Sequence, residues 1–187
     1  MLGNPAAKVQ VSEWISYTCS HCAAFQRASE APLRIMYVQP GNVSVEVRHL
    51  VRDPVDMTVA MLANCGDPAK FFRNHTMFLQ TQGTWLKAAS EAGASRQQRW
   101  AHGPMLERFR AIANDLGLYA IMERRGYNRT SADRCFADEA MTRRLAAERQ
   151  AAVDLGVTGT PSFVLNGTLR SDLHDWPSLE TAIKALL

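Results

Sequence analysis

Cys19 and Cys22 are the residues of this sequence best equipped for chemistry, two thiols separated by Ser20 and His21. At positions i and i+3 of a first helical turn, two sulfurs face the same way and can close or open a disulfide with little backbone movement. The first of them would sit where unsatisfied backbone N–H groups and the positive end of the helix dipole favour an anion. A free cysteine has a pKa near ~8.5, and in such settings it falls to about 3.5 to 7.5. His21 adds a donor that can stabilise the thiolate further, although its plainer reading is a solvated turn residue. The competing chemistry for the pair is zinc binding. A zinc ribbon would need a second pair or a His-X-His partner, and Cys65 and Cys135 are isolated singles, so no metal is expected.

The flanking residues read as the elements that would position this pair. Val9 to Thr18 is an apolar stretch rich in β-formers, and Ala23 to Arg27 are good helix formers, which gives a strand, a sharp turn and a helix start near Cys22. Pro32 interrupts the helix, while Leu33, Ile35, Met36, Tyr37 and Val38 carry enough apolar surface to keep a helix packed beyond it. After the turn at Pro40-Gly41-Asn42, Val43 to Val51 alternates with period two as a half-buried strand. Strand, helix and strand with a crossover of this length imply a parallel βαβ unit.

From Asp53 to about Leu155 the pattern is almost purely helical. Asp67-Pro68 opens a helix with Phe71, Phe72, His75, Phe78 and Leu79 at helical spacing, ending near Gly83. Trp85 to Ala89 is a short helix and Glu91 to Gly103 is loosely patterned. Helices follow from Pro104 to Gly117, up to Gly126, from Thr130 or Ser131 through Cys135, and from about Asp138 to Leu155. Then Gly156-Val157-Thr158-Gly159-Thr160-Pro161 leads straight into the apolar run Ser162 to Leu165, and Asn166-Gly167 is a hairpin turn. Pro161 is either a plain loop-to-strand junction or a cis linkage, which only X-Pro adopts at as little as about 0.5 to 1 kcal/mol. Trp176 to Leu187 closes the chain as a helix with Leu179, Ile183 and Leu186 or Leu187 on one face.

Composition narrows the class of protein. With 187 residues, 47% hydrophobic and 21% charged, the chain can bury a real core and is neither disordered nor membrane-spanning. A net charge of +3 with dispersed Lys and Arg argues against nucleic acid, and Arg143, Arg144 and Arg149 read as a solvated helix face. Met1 to Pro5 show no basic-then-apolar signal region and read as the start of a trimmed or a mature chain. Four cysteines, two of them in a redox-type pair, fit an oxidising compartment at least as well as a reducing one.

The order of these motifs resembles the DsbA-like thiol/disulfide oxidoreductases: strand, Cys-Ser-His-Cys with Phe25 shortly after, helix, strand, a helical stretch, then Val157-Thr158-Gly159-Thr160-Pro161, strand, hairpin and helix. The resemblance covers nearly the whole chain. It implies an α/β thioredoxin-like fold, residues 6–52 and 156–187, interrupted by a large all-helical inserted domain, residues 53–155, that caps the site. It implies a cis Pro161 beside the Cys19–Cys22 bridge, with Cys19 as the exposed nucleophile and Cys22 as the buried resolving thiol. Thr160 and Ser20 would contact the substrate, and His21 would tune Cys19. No cofactor beyond the Cys19–Cys22 disulfide is implied. The expected partners are reduced or unfolding secreted proteins and a membrane quinone-linked oxidase that recycles the pair, in the periplasm or another oxidising envelope compartment.

The same resemblance favours a Cys65–Cys135 bridge over two buried free thiols, since some family members carry an extra disulfide in the helical part. Ser20-His21 stands where the best-known members have Pro-His, and Thr160 occurs in oxidases and isomerases alike. An oxidase that introduces disulfides is the leading expectation, and a reductant or isomerase of the same fold stands beside it. Other readings are a non-catalytic holdase or redox sensor that uses the groove beside Pro161 for binding, and a relative of the kappa-type glutathione transferases, against which Cys22 argues.

Overall fold

The computed structural model describes every residue from Met1 to Leu187. It divides into two compact units, one made of Met1–Leu50 with Ala147–Leu187 and the other of Val51–Ala146. Along the chain run β1 (Val9–Ile15), α1 (Ser20–Pro32), β2 (Val43–His49), a series of helices between Pro54 and Phe136, α9 (Glu139–Asp154), β3 (Ser162–Leu165), β4 (Thr168–Arg170) and α10 (Trp176–Leu186). The boundary between the units falls inside α9.

The first unit is built on a four-stranded sheet in the order β2-β1-β3-β4. β1 pairs parallel with β2, in register Val9 to Val43, and antiparallel with β3, in register Val11 to Leu165. The hairpin from β3 to β4 turns at Asn166 and Gly167, both at positive φ, which is the geometry that favours this dipeptide. Alternation along the strands separates two apolar layers. Val9 and Val11 of β1 join Phe25 of α1, Phe163 and Leu165 of β3, and Leu179 and Ile183 of α10. Trp14 faces the other way, with Ala152 of α9, Val157 and Val164. Phe25 and Phe163 meet with ring centroids 4.8 Å apart, a contact worth about 0.5 to 1.5 kcal/mol beyond the area it buries.

Pro32 does not end the helical path. It is followed by a π-helical turn, Leu33–Val38, whose register buries Leu33, Tyr37 and Val38 and leaves Ile35 and Met36 exposed, so the last two do not pack as their sequence suggested. Tyr37 donates its hydroxyl to Glu180 of α10 at 2.8 Å. α10 is capped by Asp175, which accepts the Ser178 N–H while Ser178 reaches back to the cap. Its buried face is Leu179, Ala182 and Ile183, whereas Leu186 and Leu187 lie past that face and are exposed.

The second unit comprises α2 (Pro54–Ala63), α3 (Phe71–Gln80), α4 (Gln82–Ser90), α5 (Ala94–Ala101), α6 (Met105–Asp115), α7 (Leu118–Glu123) and α8 (Arg129–Phe136). α2 is apolar nearly all round, and Val59 to Ala63 are wholly buried against α3, α5, α6 and α8. Asp53 caps it, accepting the Asp56 N–H at 2.8 Å, and Asp56 in turn accepts the Arg52 N–H at 3.0 Å. Cys65 and Cys135 are joined in a disulfide, with Cα atoms 5.5 Å apart. Tyr127 donates to the Cys65 carbonyl at 2.8 Å and Asn74 donates to the Tyr127 hydroxyl at 3.2 Å.

The structure sharpens three local boundaries in this unit. The helix read as ending near Gly83 stops at Gln80, and Gly83 lies in the first turn of α4. The loosely patterned Glu91–Gly103 stretch contains α5, which its single buried Trp100 holds down. α8 starts at Arg129, because the Asn128 side chain caps it by accepting the Ser131 N–H at 2.8 Å.

Candidate active site

Ile15 ends β1, and four residues later Cys19 occupies the N-cap of α1 in an extended conformation, φ −92° and ψ 116°. The Cys19 N–H donates to the Ser16 carbonyl at 3.2 Å, which makes the turn between strand and helix. No side chain caps α1, so the first N–H groups of the helix are left for the Cys19 sulfur. Cys19 and Cys22 are both free thiols in this structure.

The two sulfurs have opposite acidities. The Cys22 thiol hydrogen-bonds to the Cys19 sulfur and is the main cause that brings the Cys19 pKa down to about 4. Burial opposes the shift, and the Thr160 side chain and the backbone N–H groups of Cys22 and His21 add to it. The Thr160 hydroxyl is buried without a hydrogen-bond partner of its own, so nothing competes for its influence on this sulfur. Burial pushes the Cys22 thiol far above the ordinary thiol range, and its hydrogen bond to Cys19 adds to the rise. Cys19 was expected to be exposed, yet the residue is only 6% accessible. Its thiol donates to the Thr160 carbonyl at 3.1 Å, and that contact covers it.

Thr160–Pro161 is a cis peptide. A groove of about 330 Å³ runs beside it, lined by His21 of α1, Thr158, Thr160, Pro161, Leu169 of β4 and His174 among others. The Ser162 hydroxyl donates to the Gly159 carbonyl at 2.8 Å and holds the loop closed on itself. Below the pair, Glu13 of β1 is 4% exposed with one carboxylate oxygen unpartnered, and burial lifts its pKa to about 8. No group of three or more His, Cys, Asp or Glu side chains is placed to hold a metal ion.

A family model described as thioredoxin matches residues 1–185. The solved structure of a protein-disulfide isomerase from Novosphingobium aromaticivorans is 46% identical and superposes with a TM-score of 0.94 over 98% of this chain and 94% of that one. The chain belongs to the thioredoxin family. Within that family its fold is that of the DsbA structures with a helical insertion, for example alpha-DsbA1 of Wolbachia pipientis, 19% identical with a TM-score of 0.78 over 99% of this chain and 88% of that one. A curated relative from Rickettsia bellii, given the provisional name protein-disulfide oxidoreductase, is 24% identical over 98% of this chain. The chain spans 62% of that relative's length.

In this thioredoxin-family chain the tertiary structure brings Cys19, His21, Cys22, Thr160 and Pro161 together from two ends of the sequence. Ser20, expected to touch substrate, is exposed at the start of α1 but does not line the groove. Cys65 and Cys135 belong to the other unit. Two site residues escaped the reading of the sequence. Glu13 had a signal, since period-two alternation places it with Val9, Val11 and Ile15 on a buried strand face. His174 had none, being a single histidine in a polar loop.

Proposed function

We infer that the chain is a thiol/disulfide oxidoreductase that exchanges disulfides with client proteins through Cys19 and Cys22, working chiefly as an oxidase. The observation that carries this reading is the placing of Cys19 at the uncapped N-terminus of α1 against the cis Thr160–Pro161 loop, where the Cys22 thiol, Thr160 and the first-turn N–H groups bring its pKa down to about 4 beside a Cys22 held protonated. Stabilising the Cys19 thiolate stabilises the reduced pair, which makes the disulfide form the stronger oxidant.

The cycle balances without any further group. A client thiolate attacks the Cys19 sulfur of the Cys19–Cys22 disulfide, forming a client–Cys19 bond as the Cys22 sulfur leaves with the electron pair. Cys22 takes up a proton from solvent, its pKa being held high by burial, by Cys19 and, more weakly, by the field of Glu13. A second client thiolate then attacks the client sulfur of the mixed disulfide, and Cys19 departs as a thiolate. The client has lost two electrons and the pair has gained them. A leaving thiol of low pKa departs faster, so the last step is the one that the helix N-terminus accelerates. Pro161 has no N–H, which leaves the Thr160 backbone free of a ladder partner on that side and able to pair with an extended client segment.

The measurement that tests this is the equilibrium potential of the pair against glutathione, together with reoxidation of a reduced, unfolded client and Cys19→Ser as control. A potential near about −120 mV supports the oxidase, whereas one near about −270 mV makes the protein a reductant. The isomerase name of the Novosphingobium structure favours a second reading, in which reduced Cys19 attacks misplaced disulfides. Faster unscrambling than oxidation of the same client would establish it. No oxidation or unscrambling above the Cys19→Ser control would leave only a holdase.

The clients that fit are reduced or unfolding secreted proteins in the periplasm or another oxidising envelope compartment. A quinone-linked membrane oxidase would return the pair to the disulfide. No helix of this chain is long and apolar enough to cross a membrane itself.

A further inference from the structure

The groove beside Pro161 has an uneven balance of charge. Of the side chains that line it, only His21 and His174 can ionise, and no Asp, Glu, Lys or Arg is among them. Both histidines are exposed, one on the first turn of α1 and the other in the loop between β4 and α10. The other polar side chains offered to a ligand are hydroxyls, chiefly those of Thr158 and Ser171, since that of Ser162 is spent on Gly159.

The charges that face the two imidazoles are accounted for locally. Asp172 and Asp175 both feel His174. Asp172 is held by Arg170 through Nε at 2.9 Å and Nη2 at 2.7 Å, so its charge is matched by a guanidinium. Asp175 caps α10, accepting the Ser178 N–H at 2.9 Å, and is matched by the helix N-terminus. His21 stands between Cys19 and Cys22, and the only charge of that motif is the Cys19 thiolate of the reduced pair. In the disulfide form, the one that receives a client thiol, that charge is gone. The groove therefore presents two imidazoles without a free carboxylate when the client arrives.

We propose that this groove selects clients by charge, favouring a segment with aspartate or glutamate beside the reacting cysteine over one with lysine there, through His21 and His174. The inference rests on the oxidoreductase reading and narrows its substrate class. A protonated imidazole is a cation, so the preference grows as the pH falls.

The test uses the oxidised full chain and three peptides that each contain one cysteine and differ at a single position two residues away, Asp, Ser or Lys. Loss of peptide thiol is followed at pH 6 and pH 8. Each rate is divided by that of the same peptide with 2-hydroxyethyl disulfide, which removes the intrinsic reactivity of its thiol. The Asp peptide should react about two- to fivefold faster than the Lys peptide at pH 6, the size of an exposed ion pair, and nearly equally at pH 8. His174→Gln should lower the ratio at pH 6. His174→Lys, which fixes the charge, should carry the preference through to pH 8. A ratio of one at pH 6, or a ratio that neither variant moves, overturns the proposal while exchange of the Ser peptide still upholds the oxidoreductase reading. No exchange with the Ser peptide overturns that reading, and the proposal falls with it.

Discussion

Cys19 and Cys22 carry the same side chain and differ only in where the helix places it. Cys19 meets donors from Cys22, Thr160 and the first-turn backbone, while Cys22 lies one turn inside with little to replace its hydration. Alkylation of the reduced protein should therefore follow a midpoint near pH 4 for Cys19, with Cys22 unreactive across the accessible range. Mass mapping of the alkylated peptide at each pH checks both. Glu13 is the third member of this set. Its unfolded carboxyl releases a proton near pH 4.5 and its folded one near pH 8, so the folded state holds the extra proton between those values and stability falls as the pH rises through that window. The slope is at most about 1.4 kcal/mol per pH unit. Glu13→Gln should flatten it, and urea melts at pH 5 and pH 8 measure the difference.

At the scale of elements, what fixes the pair is the way β1, β2 and α9 are tied. The Glu148 carboxylate on α9 accepts both the His49 backbone N–H at 2.9 Å and the ring Nδ1–H at 2.7 Å, at the end of β2. His49 lies 5.8 Å from the ring of Tyr17, two residues before Cys19. All of these groups are buried, so truncating the acceptor strands two donors in the core. Glu148→Ala should destabilise the chain by about 1 to 3 kcal/mol, and Glu148→Gln, which keeps an acceptor, by less. In the other unit the Cys65–Cys135 bridge closes a loop with a sequence separation of 70. Replacing both with serine should cost about 2 to 5 kcal/mol by denaturant melting, and it should leave the alkylation midpoint of Cys19 where it was.

At the scale of the whole molecule, redox state and stability are one quantity seen from two sides. The folded pKa of Cys19 lies below its unfolded value, so the thiolate contributes stability at neutral pH that is lost as the pH falls through about 4. The reduced protein should accordingly melt above the oxidised one at pH 7, with the gap closing as the pH approaches 4. Paired calorimetric scans of the two forms across that range measure it. A gap of the opposite sign at pH 7 would mean that the disulfide is the stabilised form and would turn the oxidase reading into a reductant one.

By itself the sequence determined what is local. Cys19 and Cys22 at helical spacing, the alternation of Val43 to His49, the Asn166-Gly167 turn and the long helical stretch are all written in neighbouring residues, because propensity, pattern and turn chemistry act over a few positions. The ordering of motifs added the family, and through it the partnership of Cys19 with a loop 141 residues away, which no spacing could reveal. Only the tertiary structure decided how far each group is removed from water. It put the Thr160 carbonyl and hydroxyl against Cys19, buried Glu13 until its proton is held to about pH 8, exposed Ile35 and Met36 through a change of helical register, and set His174 across from His21 in one groove. Acidity and selectivity follow from desolvation and from neighbours in space, and those are properties of the packed chain rather than of any stretch within it.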